Sequence, residues 1–193
     1  MFYETQSGWE PMYPQSTNTL LLVPGGYGSI GQYTRSPGIY KCPADKSWIL
    51  IGGQRHSRVR SVSMNCCVDS LNAVEPGVVY RIFGRTSDMI DPGPADTFVF
   101  VDEHEDSICG GRFDIAPPYF GPGTWWINLP ASRHGGAGTF SFADGHAEVK
   151  KWRDPRTVVP VKRLMWWYEF DSPNNQDVVW VRERATSNAP WSR

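Results

Sequence analysis

The sequence predicts an α+β domain built mostly on antiparallel β-sheet, with long Pro/Gly-rich loops, and three observations carry that expectation. Thr139-Phe140-Ser141-Phe142 alternates small polar and aromatic residues with the period of two of a half-buried strand, and Asp144-Gly145 follows it as a pair suited to the positive-φ positions of a hairpin turn. The 19 Gly and 16 Pro among 193 residues fall as punctuation between short β-like runs. No stretch shows the sustained 3.6-residue period of a long amphipathic helix.

Taken in chain order, residues 1–39 are broken into short pieces by Pro11, Pro14, Pro24, Gly25, Gly26 and Gly28, and read as a loop-rich wrap around a sheet core spanning 40–193. Strands are expected at 59–68, 78–83, 97–101, 139–142, 147–152 and 178–182, each bounded by Gly, Pro, Asn or Asp. Trp152 and Trp180 fall in two of these runs and are expected in the core, whereas 163–170 fits neither the helical nor the strand period. The length suits one sizeable core, and no internal repeat or low-complexity linker divides it, so a single domain over 1–193 is expected. The hairpin at 134–145 is expected to bring His134, Asp144 and His146 to the same end of the sheet.

Lys plus Arg at 19 nearly balances Asp plus Glu at 20, and no Lys/Arg-dense run suggests a phosphate-tracking surface, so nucleic acid is not an expected partner. No window approaches the roughly 20 apolar residues that span a bilayer. The run Leu20-Leu21-Leu22-Val23 is too short even for the core of a signal peptide.

The densest acidic run, Asp102-Glu103-His104-Glu105-Asp106, directly follows the apolar strand that ends at Val101. If that strand lies beside 139–142, Asp102 or Glu103 comes close to His134 and Asp144, a set of oxygen and imidazole donors able to hold a divalent cation. The plainer alternative is a solvated acidic turn, with Asp144-Gly145 serving the turn geometry alone. Asp102, Glu103 and Asp144 are also the candidates for the paired carboxylates of glycoside hydrolysis, which stand about 5 to 5.5 Å apart for retention and roughly 6.5 to 9.5 Å for inversion. His134 as a general base lacks a Gly-x-Ser-x-Gly nucleophile elbow to activate. Nine Trp residues include the doublets Trp125-Trp126 and Trp166-Trp167, which on extended chain cannot both face one core. One ring of each is expected outside, where an indole stacks on a sugar ring or on another protein.

His134, nine intervening residues and Asp144-Gly145 make a pattern that resembles the H-x9-D-G domain at the carboxyl end of many bacterial prepilin-type, or pseudopilin-like, proteins, especially those of planctomycetes and verrucomicrobia. Three further segments occur in that family's order. Tyr40-Lys41-Cys42-Pro43-Ala44-Asp45 resembles its Cys-Pro-x-Asp segment, Val62-Ser63-Met64-Asn65 its Ser-Tyr-x-Met-Asn strand, and 94–103 its apolar strand ending in Asp-Glu. The resemblance implies a pseudopilin-like globular head at the cell surface or outside the cell. It further implies a type II secretion or type IV pilus-like system, with other pilin-like subunits as partners and calcium as the cation by analogy with the major pseudopilins, while the Trp doublets make polysaccharide the other expected partner.

An exported family makes a disulfide from Cys42 or Cys109 to Cys66 or Cys67 an expectation, beside the alternative of small buried thiols. Spacing alone selects no pairing, and adjacent Cys66-Cys67 on a strand would face opposite ways. The chain departs from the family at Met1-Phe2-Tyr3-Glu4-Thr5-Gln6, where a basic leader and a long apolar helix would stand. The expectation is therefore either a soluble fragment of a longer product or a member without its filament-forming part. The competing reading is a carbohydrate-active enzyme, a glycoside hydrolase on the same scaffold.

Overall fold

The computed structural model describes residues 4–5, 8–9, 16–23, 30–68, 80–108, 110–116, 125–162 and 170–187. Its strands are β1 (Glu4–Thr5), β2 (Gly8–Trp9), β3 (Trp48–Ile51), β4 (Gln54–Ser57), β5 (Val62–Asn65), β6 (Phe98–Asp102), β7 (Arg112–Phe113), β8 (Trp125–Trp126), β9 (Ala137–Phe142), β10 (Ala147–Lys151) and β11 (Phe170–Asp171), and its helices are α1 (Gly31–Thr34) and α2 (Gln176–Ala185). A five-stranded sheet in the order β10-β9-β6-β5-β7 organises the described residues, which also form the two-stranded pairs β1/β2, β3/β4 and β8/β11. Every pairing in the large sheet is antiparallel except β5 with β7, which is parallel. The α+β, largely antiparallel architecture expected from the sequence is thus present.

The hairpin of β9 and β10 is in register from Ser141↔Ala147 to Ala137↔Lys151. Gly145 takes φ 96 at its tip, and the Asp144 side chain accepts the His146 N–H at 3.1 Å. Period two then does what the sequence implied: Phe140 and Phe142 are buried on one face, and Thr139 and Ser141 lie on the other. The β6/β9 register slips by one residue between Phe98 and Phe100. The extra residue lets Phe98 and Val101, three apart, both enter the core while Phe100 lines the outer face.

Helix α2 covers the inner face and replaces the strand expected at 178–182. The β-branched look of Val178-Val179-Trp180-Val181 misled; the decisive signals are the cap and the spacing. Asn175 accepts the Asp177 N–H at 2.8 Å as N-cap, Asp177 sits in the first turn, and Val178, Val181 and Ala185 recur three and four residues apart as the buried stripe. Asp177 also accepts from the amides of Arg153 and Asp154, which fixes the start of the helix to the end of β10. Phe140 is the centre of the core, with edge-on contacts to Phe98 at 5.3 Å, Trp152 at 6.0 Å and Trp180 at 5.1 Å. Gly138 is a packing requirement, since a Cβ there would meet Trp152 Cζ2 at 2.7 Å.

Other sequence expectations are corrected by local geometry. The strand expected at 59–68 is cut to β5, because the chain turns at Cys66-Cys67. That turn brings the two sulfurs to 3.7 Å, where a strand would have pointed them apart. Of the run at 78–83, residues 78–79 lie outside the described residues, and Phe83 makes a single bridge to Val68. The β3/β4 hairpin adds to the expected strands, and Gly52-Gly53, at φ 58 and 80, is its two-residue turn. The segment 163–169, with Trp166 and Trp167, lies outside the described residues, as does Cys109.

Phe140→Ala is expected to cost about 3 to 5 kcal/mol in urea denaturation, whereas Val149→Ala on the outer face, 65% exposed, should stay within about 0.5 kcal/mol.

Candidate functional site

The end of β6 brings together Asp102, Glu103 and His134 of the residues singled out from the sequence. Asp102 and Glu103 are neighbours, so on extended chain they leave the sheet on opposite faces. Asp102 pairs in register with Val62 and lines the outer face with Phe100 and Thr139. Glu103 enters the inner side, where its Oε1 accepts from Asn128 Nδ2 and Ser107 Oγ, both at 2.8 Å, and its Oε2 accepts from Ser63 Oγ. One strand therefore feeds two separate polar clusters.

On the outer side Asp102 is 2% exposed, and each of its oxygens has one partner: Oδ1 accepts from Ser61 Oγ at 2.7 Å, and Oδ2 from Arg133 Nη1 at 2.6 Å. Arg133 spreads its fork further, with Nη2 on the Glu103 carbonyl at 2.7 Å, Nε on Glu105 Oε1 at 3.4 Å, and Asp45 Oδ1 at 4.0 Å. Burial works against the Arg133 charge, yet the Asp102 hydrogen bond and the Asp102, Glu105 and Asp45 carboxylates outweigh it and raise its pKa. Arg58, also buried, donates to the Glu105 carbonyl. Its pKa is lowered by desolvation despite the surrounding carboxylates of Asp45, Glu103, Asp106 and Glu105. Two guanidinium groups thus clamp the backbone of the acidic run.

The acidic run is accordingly not a solvated turn. Asp102, Glu103, His104 and Asp106 are buried. His104 Nδ1 accepts the Asp106 N–H, which makes Nε2 the donor to the Val159 carbonyl at 2.9 Å, and Asp106 accepts the Lys162 N–H at 2.6 Å. Glu103 has the most perturbed carboxyl of the set: burial raises its pKa to about 7, against the opposing effect of its hydrogen bond from Ser63.

The expectation that His134, Asp144 and His146 share one end of the sheet is overturned. His134 precedes β9 and Asp144 follows it, so a six-residue strand separates them. Asp144 lies beyond the Phe98↔Phe142 pair, and Asp102 is four residues further along β6, about 13 Å or more away. Asp144 instead pairs locally, its Oδ1 2.6 Å from His146 Nδ1, while the His146 ring stacks on Phe142 at 4.3 Å. The His146 amide, followed by its side chain, lowers the Asp144 pKa. The metal set Asp102, Glu103, His134 and Asp144 does not assemble as four: Asp102 and His134 meet, Glu103 faces the other way, and Asp144 is at the far end. The same separation removes Asp144 from any catalytic pair with Asp102 or Glu103.

Beside Asp102 the structure brings in a residue that the metal reading missed. His134 Nε2 lies 3.9 Å from Asp102 Oδ2 and 3.3 Å from Cys42 Sγ, and the three donor atoms all fall within 4.8 Å of one another. Contact across 92 residues leaves no spacing signal. Cys42, Cys66 and Cys67 are free thiols, which corrects the disulfide expected from Cys42. Of the Trp doublet, Trp126 is buried in the core cluster and Trp125 is half-buried, so the pair is not an open aromatic platform. The outer face also carries a cleft of about 300 Å³ between residues 30–40 and the sheet, lined by Ile30, Ile39, Tyr40, Val62, Phe100 and Thr139 among others.

Compared with family models, with curated proteins and with solved structures, the chain finds no match in any of the three.

Two outcomes test this reading of the polar clusters. Arg133→Met leaves Asp102 buried without its cation and should cost about 3 to 5 kcal/mol, whereas Arg156→Ala, whose pair with Asp154 is surface-exposed, should cost under about 1 kcal/mol. Because the Glu103 pKa rises from 4.5 on folding to about 7, the native state holds a proton that the unfolded chain has lost between those values. The contribution of this group to stability is then full below about 4.5, falls as pH rises, and is level above about 7. Melting temperature measured across that window should lose this slope in Glu103→Gln.

Proposed function

We propose that the chain is a pseudopilin-like head acting at the cell surface or outside the cell, a binding and assembly module of a type II secretion or type IV pilus-like system. The observation that carries the reading is the convergence of the family-like segments. Asp45 of the Cys-Pro-x-Asp segment, Ser63 of the second strand, Asp102 and Glu103 of the Asp-Glu strand, and Arg133-His134 at the start of the H-x9-D-G run meet at one end of one sheet. Motifs scattered over about 90 residues of sequence then have a shared reason to occur together: they are parts of one buried structural joint. Asn65 adds to it by donating to the carbonyls of Phe98 and Ala185, tying β5 to β6 and α2.

The glycoside hydrolase alternative draws less support, because Glu103 is enclosed by structural hydrogen bonds and Asp144 stands at the far end of the sheet, which leaves Asp102 without a second carboxylate across a cleft. A polysaccharide platform is reduced to Trp125 among the described Trp residues of the two doublets. The apolar outer face, where Ile39 and Val149 are exposed beside the cleft, suits contact with another protein subunit better than sugar stacking. No helix of the described residues is long and apolar enough to cross a membrane.

A photo-crosslinker placed at Val149 in the native cells tests the proposal. The expected result is an envelope-associated adduct with a pilin-like polypeptide. Release of reducing sugar from glucan or xylan by the wild-type protein, abolished by Asp102→Asn in a folded variant, would reverse the choice in favour of the enzyme.

A further inference from the structure

We propose that Cys42, Asp102 and His134 form a binding site for a divalent cation of the zinc class, with three protein donors and a fourth position open to solvent. The site shares Asp102 and His134 with the joint described above, but cation binding does not depend on the assembly role. Sulfur, carboxylate oxygen and imidazole nitrogen arrive from three distant segments and lie within 4.8 Å of one another. Cys42 Sγ is 3.3 Å from His134 Nε2, which is 3.9 Å from Asp102 Oδ2. A tetrahedral zinc with bonds of about 2.0 to 2.3 Å holds neighbouring donors about 3.3 to 3.6 Å apart. The two His134 pairs, at 3.3 and 3.9 Å, are within tenths of an ångström of that, and Cys42 and Asp102, at no more than 4.8 Å, close on the ion by a shift of at most about 1.3 Å.

The donor chemistry selects the ion. A thiolate and an imidazole suit zinc and its neighbours, whereas calcium and magnesium take oxygen shells, and the carboxylates of Glu103 and Asp144 that would extend such a shell are elsewhere. The supports behind the donors are already in place. Ser61 Oγ accepts the Cys42 N–H at 2.9 Å and donates to Asp102 Oδ1 at 2.7 Å, so one hydroxyl orients two of the three ligands. Arg133 holds the Asp102 oxygen nearest the site, and Glu105 and Asp45 beside that guanidinium offset its charge.

Access is equally asymmetric. Asp102 is buried and Cys42 half-buried, while the His134 side chain is 36% exposed, which leaves the solvent side for entry and for the fourth ligand. Gly135 and Gly136, at φ 65 and 78, turn the chain directly after His134 and return it into β9, a path that side-chain-bearing residues take only with strain. Binding converts the Cys42 thiol to a metal-bound thiolate, and its proton leaves to the buffer.

Cobalt(II) titration of the full chain under reducing conditions reads this site directly, through the thiolate-to-metal absorption of a tetrahedral cobalt centre. The expected result is one Co²⁺ per chain, displaced by Zn²⁺. In Cys42→Ser the sulfur band disappears, and in His134→Gln affinity falls by more than the roughly 10- to 100-fold typical of losing an outer partner. Because His134 is at the surface, its variant reports even if Cys42→Ser does not fold. The Cys66→Ser/Cys67→Ser double variant is the control, since that thiol pair lies 3.7 Å apart and offers the competing sulfur ligands. A band that survives both Cys42→Ser and His134→Gln, or that vanishes only in the double variant, overturns the proposal, as does the absence of any thiolate band in the wild type.

Discussion

The buried pairing of Arg133 with Asp102 is the constraint around which this end of the molecule is arranged. An ion pair taken out of water repays its desolvation only when the remaining donors and acceptors are also matched. Here the matching recruits Ser61, the Glu103 carbonyl, Glu105 and Asp45, so a single guanidinium ties the end of β6 to the 42–47 turn and to the entry of β9. The 128–131 segment is joined at the same place through backbone bonds, with Ala131 N–H on the Asp102 carbonyl and His104 N–H on the Leu129 carbonyl. The aromatic core around Phe140 supplies non-directional attraction. The polar joint supplies the directional part, because each of its bonds is lost if a segment slides by one residue.

The same strand geometry explains the division of labour between two adjacent carboxylates. Glu103 points inward, is enclosed by Ser63, Ser107 and Asn128, and is pushed up to a pKa of about 7 by burial. In many proteins a carboxyl so shifted signals an acid or base at work. In this one it is fully enclosed, and its partners are hydroxyls and an amide rather than a cleft, so the shift reports structural burial. Asp102 faces the side that opens toward His134 and Cys42, and any chemistry at this end of the sheet belongs to that side.

What was legible in the sequence was local. The β9/β10 hairpin followed from the alternation of Phe140 and Phe142 and from Asp144-Gly145, because strand period and turn dihedrals are settled within a few residues. Helix α2 was misread for a reason of the opposite kind. Val178-Val179-Trp180-Val181 has strand-like composition, but the Asn175 cap and the core face supplied by Phe140 and Phe98 stabilise a helix that local preference disfavours. The acidic run looked solvated because charge density is visible in a sequence, whereas the two arginines that bury it, Arg58 and Arg133, are distant in the chain.

By itself the sequence determined the α+β class and the β9/β10 hairpin, and it placed Asp102 or Glu103 near His134 on the condition that β6 lies beside β9, since each follows from strand period or from two strands lying side by side. Tertiary structure alone decided that β6 pairs with β9 so that Asp102 lies at the His134 end, and that Cys42 enters that neighbourhood. The physical reason is that strand direction assigns residues to ends and faces of a sheet. That assignment depends on which strands pair and in what register, and no spacing along the chain encodes it.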